Sequence, residues 1–317
     1  MLSRTAENLY WLARYMERAE TMARLLEVGY RMGMMPSTAE GYRNEWASLL
    51  QAAGSAEGFA AKFGEEARQR DVETWLFFDR ENPSSVVSCI EQARNNGRAV
   101  RTALTTEMWD ALNVAYLELA SIEREPRVDS LLPKLCDWTK RQGSQLRGAT
   151  ESTHLQNDGY DFVNVGYYLE RGDNTARLLD VKYYVLLPTT DMVGGSVDSY
   201  QWSTLLRALS ALRAFHWTYG GEHSPRKIAH FLILNASCPR SLLHCAGKVG
   251  THLDRLSGAY GKGTAAHDGV REMLAELSEA DVEGVIGEGL HEFLTRFINR
   301  NARLGQQVAD AYLFGPQ

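Results

Sequence analysis

Cysteine and proline are both scarce in this 317-residue chain, with four of the first and eight of the second. Cys89, Cys136, Cys238 and Cys245 form no C-x-x-C pair, so no disulfide framework is expected, and free buried thiols in a reducing cytoplasm are. The few prolines leave long stretches without turn punctuation, which favours helix. No run of 18 apolar residues occurs, so no membrane span is expected. Positive charge is not in excess either: 34 Lys and Arg face 40 Asp and Glu, a net charge of −6. That balance argues against a dedicated nucleic-acid binder, which needs a basic surface to neutralise phosphates. The first residues run straight into a charged helix with Arg4, Glu7, Arg14, Glu17 and Arg18. They lack the apolar core of a secretory leader, and a cytoplasmic location is the expectation.

What is present is a globular composition, 44% hydrophobic and 23% charged. Apolar residues at 3-4 spacing (Leu9, Leu12, Met16, Ala19, Ala23, Leu26, Tyr30) predict a helix over 3–33, with Ser3 as its cap and Gly33 and Pro36 at its end. Shorter helices are predicted over 42–53 and 56–69. Residues 71–80 are ambiguous, and helix is favoured because nothing nearby alternates. Asn82-Pro83 opens a helix to about residue 104, followed by one over 105–122, a turn around Pro126, and one over 128–152 with Pro133 in its first turn. The second half reads as helices over 158–187 (stopped by Pro188), 199–214 (capped by Asp198), 225–235, 239–256, 268–279 and 282–313. Loops are expected over 189–197 and 257–267. Almost nothing reads as strand. The expectation is an all-α bundle of ten or more helices, a single domain over 1–317.

One motif occurs twice. Residues 14–28 read RYMERAETMARLLEV and residues 167–181 read YYLERGDNTARLLDV, identical at eight of fifteen positions. Unrelated segments would share about one. Glu17/Glu170, Arg18/Arg171 and Arg24/Arg177 are among the identities, and Glu20/Asp173 and Glu27/Asp180 keep the acid. The copies lie 153 residues apart. A weaker match relates Pro83-Ser84-Ser85-Val86-Val87-Ser88-Cys89 to Pro239-Arg240-Ser241-Leu242-Leu243-His244-Cys245, 156 apart, each read as a helix start with proline in its first position. Both point to an internal duplication with halves of about 1–153 and 154–317 and a pseudo-twofold relation.

Arg18 falls inside the apolar arc of its helix, and Arg171 does so in the second copy. A buried arginine needs a partner. The opposite side carries Arg14, Glu17, Thr21 and Arg24, or Tyr167, Glu170, Asn174 and Arg177. Glu20→Arg24 and Asp173→Arg177 are i,i+4 pairs with the acid first. Three readings stand: interhelical Glu–Arg pairing at the pseudo-twofold centre, a ligand or catalytic site built from the same groups, and a solvated face. The catalytic form would use Glu17 and Glu170 as general acid and base on an amide or peptide bond, with the arginines holding an anionic substrate. Arg94, Arg98 and Arg101, at i, i+4 and i+7, make a second candidate anion grip, or a row paired with acids of a neighbouring helix.

Other signals fade. His216, His223 and His230 are seven apart, as are Cys238, Cys245 and His252. Two helical turns separate such residues by about 10.5 Å, too far for consecutive members to share one ion at about 2.0–2.3 Å. No metal and no cofactor is expected. The stretch from Gly258 through Lys262 to Thr264 departs from a phosphate loop, with Gly263 interrupting the Lys-Thr pair.

With Glu17-Arg18-Ala19-Glu20, Ala23-Arg24 and Glu170-Arg171-Gly172-Asp173-Asn174-Thr175-Ala176-Arg177, the sequence resembles the alpha-E family, bacterial helical proteins named for a Glu-Arg motif. Asn8, Trp11, Arg14, the stretch from Asn82 through Arg94, Arg98, Arg101, Glu107 and Trp109, and Pro239-Arg240-Ser241 extend the resemblance along the whole chain. It implies a bacterial protein of a kind often encoded beside a circularly permuted ATP-grasp protein and a transglutaminase-like cysteine peptidase. ATP-grasp proteins of that sort form amide bonds on amino acids or peptides. The expectation is a helical binding or assembly partner of such a ligase, acting in trans and holding a peptide-like or amino-acid substrate. Oligomeric state is left open.

Overall fold

A computed structural model describes residues 1–34, 45–126, 131–184, 195–220 and 224–315. The first half comprises α1 (Ser3–Gly33), α2 (Glu45–Ala52), α3 (Ala56–Phe63), α4 (Gln69–Glu73) running into a π-helical turn (Thr74–Phe78), α5 (Val86–Ala99), a 3-10 turn (Arg101–Ala103), α6 (Thr106–Ile122) and α7 (Leu132–Thr153). The second comprises α8 (Asp158–Tyr184), α9 (Ser196–Ala208), α10 (Leu212–Tyr219), α11 (Pro225–Ile233), α12 (Leu242–Tyr260), α13 (Ala265–Glu279), α14 (Val282–Glu288) and α15 (Leu290–Ala311). The fold is all-α, with no strand among the described residues.

The two motif helices cross at the centre. α1 packs on α8, and their backbones come close at Gly166, where a Cβ would run into the Tyr10 carbonyl. Around that crossing the packing of one half answers the other. α1 is flanked by α5 and α7, and α8 by α12 and α15; α6 joins α5 to α7, and α13 joins α12 to α15. The short helix after each motif helix crosses over, α2 packing on α8 and α9 on α1.

Consequently α1 and α8 are enclosed on nearly all sides. From Trp11 to Gly29 only Trp11, Arg14, Tyr15 and Arg18 reach solvent; from Gly159 to Val181 only Arg171, Asp173 and Arg177 do. The side of α1 that reads as polar is therefore buried: Glu17, Glu20, Thr21 and Arg24 are all at most 4% exposed. Small residues such as Ala13, Ala19 and Ala23 let neighbouring helices close over these charges.

Several boundaries differ from those expected. Ser3 is the first residue of α1, and Leu2 holds the cap position without a side-chain bond. Pro83 and Pro239 do not open helices. Each lies before a serine N-cap, where Ser85 Oγ accepts from Ser88 N and Ser241 Oγ from His244 N, so serine answers the free N–H that proline was expected to remove. Pro133 does sit in the first turn of α7. Asp198 lies inside the first turn of α9 rather than at its cap, paired to Lys182 at 2.7 Å. The helix expected over 199–214 breaks after Ala208, that over 282–313 breaks at Gly289, and α3 ends at Phe63. Where a loop was expected over 257–267, α12 continues to Tyr260 and α13 begins at Ala265. Pro36, Pro188 and most of the loop over 189–197 lie outside the described residues.

Candidate functional site

The Glu-Arg dipeptides of α1 and α8 grip each other crosswise. Arg18 Nε donates to Glu170 Oε1 at 2.6 Å and its Nη2 to Oε2 at 3.1 Å. In return Arg171 Nε donates to Glu17 Oε1 at 3.0 Å and its Nη2 to Oε2 at 3.1 Å. Each is a two-point fork, the geometry that makes arginine the residue for a buried carboxylate. Each glutamate takes one more guanidinium: Arg14 Nε reaches Glu170 Oε2 at 2.7 Å, and Arg240 Nη1 reaches Glu17 Oε1 at 3.0 Å. Arg240 also bridges to Glu20 Oε1 at 2.7 Å. Cys89 of α5 lies near the Arg18–Glu170 pair and Cys245 of α12 near Arg171–Glu17; burial pushes both thiols up to about 12.

Each motif helix also closes the end of the other half's crossing helix. Arg24, held by Glu20, donates through Nη1 to the carbonyl of Ala208 at the C-terminus of α9 and to Ser210 Oγ at 3.1 Å. Arg177, held by Asp173 at 2.6 Å, donates through Nη1 to the Ala52 carbonyl at the C-terminus of α2 at 3.3 Å. A guanidinium there answers free carbonyls and the negative end of the helix dipole. The residues just beyond, Gly54 and Ser210, both take the left-handed conformation, with φ of +66° and +56°. The third acid of each motif is held from its own half: Glu27 by Lys140 of α7 at 2.7 Å, and Asp180 by His291 of α15 at 2.7 Å. Asn174 Nδ2 donates to the Glu17 carbonyl at 3.2 Å.

The electrostatics follow from the guanidinium count. Burial alone would raise the Glu170 carboxyl, but Arg18 and Arg14 overcome it and hold it at about 2. Burial works the same way on Glu20, where Arg24 and Arg240 prevail and hold it at about 2. Arg24 and Arg171 are pushed down, first by burial and then by the charge of Arg240. A small cavity of about 20 Å³ beside Glu17 and Glu20 is walled by Arg147, Tyr167 and α7, without Glu170. Tyr167 is stacked between Arg147 and Arg171, at 4.1 and 4.2 Å from its ring centre. Glu170, clamped by two guanidiniums and held at about 2, is an ion-pair partner and a poor proton donor at neutral pH, and the Glu17 carboxylate is likewise engaged by Arg171 and Arg240.

The expected arginine row lies elsewhere and does not form one helical row. α5 ends at Ala99, so Arg101 belongs to the following 3-10 turn. Arg94 donates to Asn113 Oδ1 at 3.2 Å and stacks on Tyr116; Arg94 and Arg101 both flank Trp109, and Arg98 is exposed. Its partners are thus aromatic and amide groups of α6. No metal-ligating cluster forms among the described residues, and His223 lies outside them. His252 instead meets Asp161 at 2.8 Å, an acid that also takes Arg255 at 2.7 Å.

Two features escaped the sequence reading. Trp46, Leu49, Leu50 and Ala52 match Trp202, Leu205, Leu206 and Ala208 at an offset of 156, a third repeat that would have located both crossing helices. The double grip of Arg240 had no local signal, since Ser84 stands in the matching place of the first half.

A family profile described as "a predicted alpha-helical domain with a conserved ER motif" matches residues 1–313. Curated relatives include uncharacterized proteins of Mycobacterium bovis and of two strains of Mycobacterium tuberculosis, each 24% identical over 319 residues, an overlap covering 93% of this chain and 35% of the relative. The chain thus spans well under half the length of these relatives. No solved structure matches it. The Glu-Arg dipeptides of the motif are those that grip each other across α1 and α8, and with the profile spanning nearly the whole chain, the protein belongs to the Alpha-E family.

Proposed function

We propose that this domain is a helical binding and assembly partner of an ATP-grasp amide-ligase system, holding a peptide-like or amino-acid substrate or organising the complex. The observation that carries the reading is the state of the motif: both glutamates are saturated by guanidiniums and serve to lock the two halves together. Chemistry supplied by a partner fits a domain whose most distinctive charges are committed to its own architecture. The relatives, which carry a matching region within much longer chains, agree with a module that works beside other modules. The two halves, with their matching motifs and packing, are read as an ancient internal duplication within a single domain. A transglutaminase-like peptidase is the second candidate partner.

The test is recovery of the tagged chain from its own host, with mass spectrometry of what co-purifies. An ATP-grasp protein at stoichiometric yield is the expected result. Turnover of a peptide or amide by the isolated chain would overturn the reading.

A further inference from the structure

The window on α1 offers a site of its own. Trp11, Arg14, Tyr15 and Arg18 are its only solvent-reaching residues between Trp11 and Gly29, and they lie at i, i+3, i+4 and i+7 on one face. The Arg14 and Arg18 side chains are 16% and 22% exposed, above a Glu170 that is 3% exposed. Arg14 lies 4.9 Å from the Trp11 ring centre and Arg18 lies 5.6 Å from that of Tyr15. Next to the window α15 passes at Gly305, where a Cβ would stand 3.3 Å from Arg14 Nη1, so glycine keeps that wall low.

Charge balance says what would sit there. At the window Arg14 and Arg18 share the single carboxylate of Glu170, two guanidiniums to one acid. Excess buried charge is costly, and a bound counter-charge relieves it. Arg14 donates from Nε and Nη1, and Arg18 from Nε and Nη2. The indole Nε1–H of Trp11, whose ring Arg14 overlies, is buried without an acceptor among the described residues, a costly state for a donor.

We infer that this window binds an oxyanion, a carboxylate or phosphate group, between Arg14 and Arg18 and against Trp11. The carboxylate form deepens the substrate-holding part of the function proposed above and rests on it; the anion site itself does not. No atom is transferred, and the site holds and orients.

Calorimetric titration of the full chain with L-glutamate and with inorganic phosphate, each against sodium chloride at matched ionic strength, tests the inference. One site for at least one oxyanion is expected, with a rise in melting temperature as ligand accumulates. Arg14→Gln should weaken binding by at least tenfold, a hydrogen bond to a charged group lost. Trp11→Phe, which changes no charge, keeps the test alive if the arginine variant unfolds, and should weaken binding severalfold. Binding of phosphate without glutamate upholds the anion site and counts against an amino-acid substrate. No heat beyond the chloride control overturns the inference, as does unchanged binding in either variant once circular dichroism has shown it folded.

Discussion

Glu17 and Glu170 hold the same place in their motifs, yet their surroundings differ. Both take a fork from the arginine of the opposite dipeptide. Glu170 draws its extra guanidinium from Arg14, three residues before the Glu17-Arg18 dipeptide, where the second half has Tyr167. Glu17 draws its own from Arg240, at the entry to α12, and shares it with Glu20. The common part of the two arrangements locks the helices. The unequal part places arginines and aromatics in a window on α1, while the matching stretch of α8 buries Tyr167 between two guanidiniums. The reciprocal forks tie α1 to α8, and the two sides differ in what is added to them.

The sharpest way to break this comparison is Glu170→Gln against Glu17→Gln. Removing Glu170 strands Arg14 and Arg18 together and should cost about 3–5 kcal/mol in urea unfolding. Removing Glu17 should cost less, because Arg240 keeps Glu20. Equal losses would mean that the third arginine does not matter. Acid sharpens the same point. Because the folded carboxyls of Glu170 and Glu20 lie below the ordinary carboxylate range, their stabilisation is complete above that range and is lost as pH falls toward 2. Stability measured over that window should fall less steeply in Glu170→Gln than in the parent.

A smaller effect is expected at the crossing. Gly166→Ala drives a Cβ into the Tyr10 carbonyl, which is backbone and cannot swing away. A loss of about 1–3 kcal/mol is the expectation, with helix content kept in far-ultraviolet circular dichroism. The matching position of α1 is already Ala13, so a loss near zero would show that α1 and α8 approach less closely than described. The smallest effects separate the two crossing-helix ends. Gly54→Ala forces a side chain into the left-handed region and near Arg177 Nη1, at a cost of about 1–2 kcal/mol. Ser210→Gly relieves the same conformation and should leave stability unchanged or raise it by up to about 1 kcal/mol, unless the bond from Arg24 to Ser210 Oγ outweighs the relief. Differential scanning calorimetry on the pair decides between conformation and hydrogen bond.

The sequence carried much of this. Apolar spacing located α1 to the residue at its C-terminus, and the repeated Glu-Arg demanded partners that proved to be each other. The enclosure of the charged side of α1 was not legible, because helical periodicity reports the apolar stripe alone. A charge in water and a charge paired beneath a neighbouring helix look alike in one dimension. Nor could local pattern name Ala208 and Ala52 as the acceptors of Arg24 and Arg177, since those carbonyls become available only where α9 and α2 end. The breaks at Ser210 and Gly289 each fall where one residue takes a positive φ, Ser210 also receiving a bond from Arg24.

The crosswise grip also sets a clock on synthesis. α1 is made first, but the helix it must close on ends at Tyr184, 151 residues after Gly33. At about 5–20 residues per second, the ribosome takes about 8–30 s to supply that partner. During that interval Glu17 and Arg18 lack their partners on α8, and Leu9, which meets Gly159 of α8, stands uncovered on that face. A chain halted before α8 has emerged keeps that apolar surface open, so nascent and truncated forms are the aggregation-prone ones, whatever the stability of the finished fold.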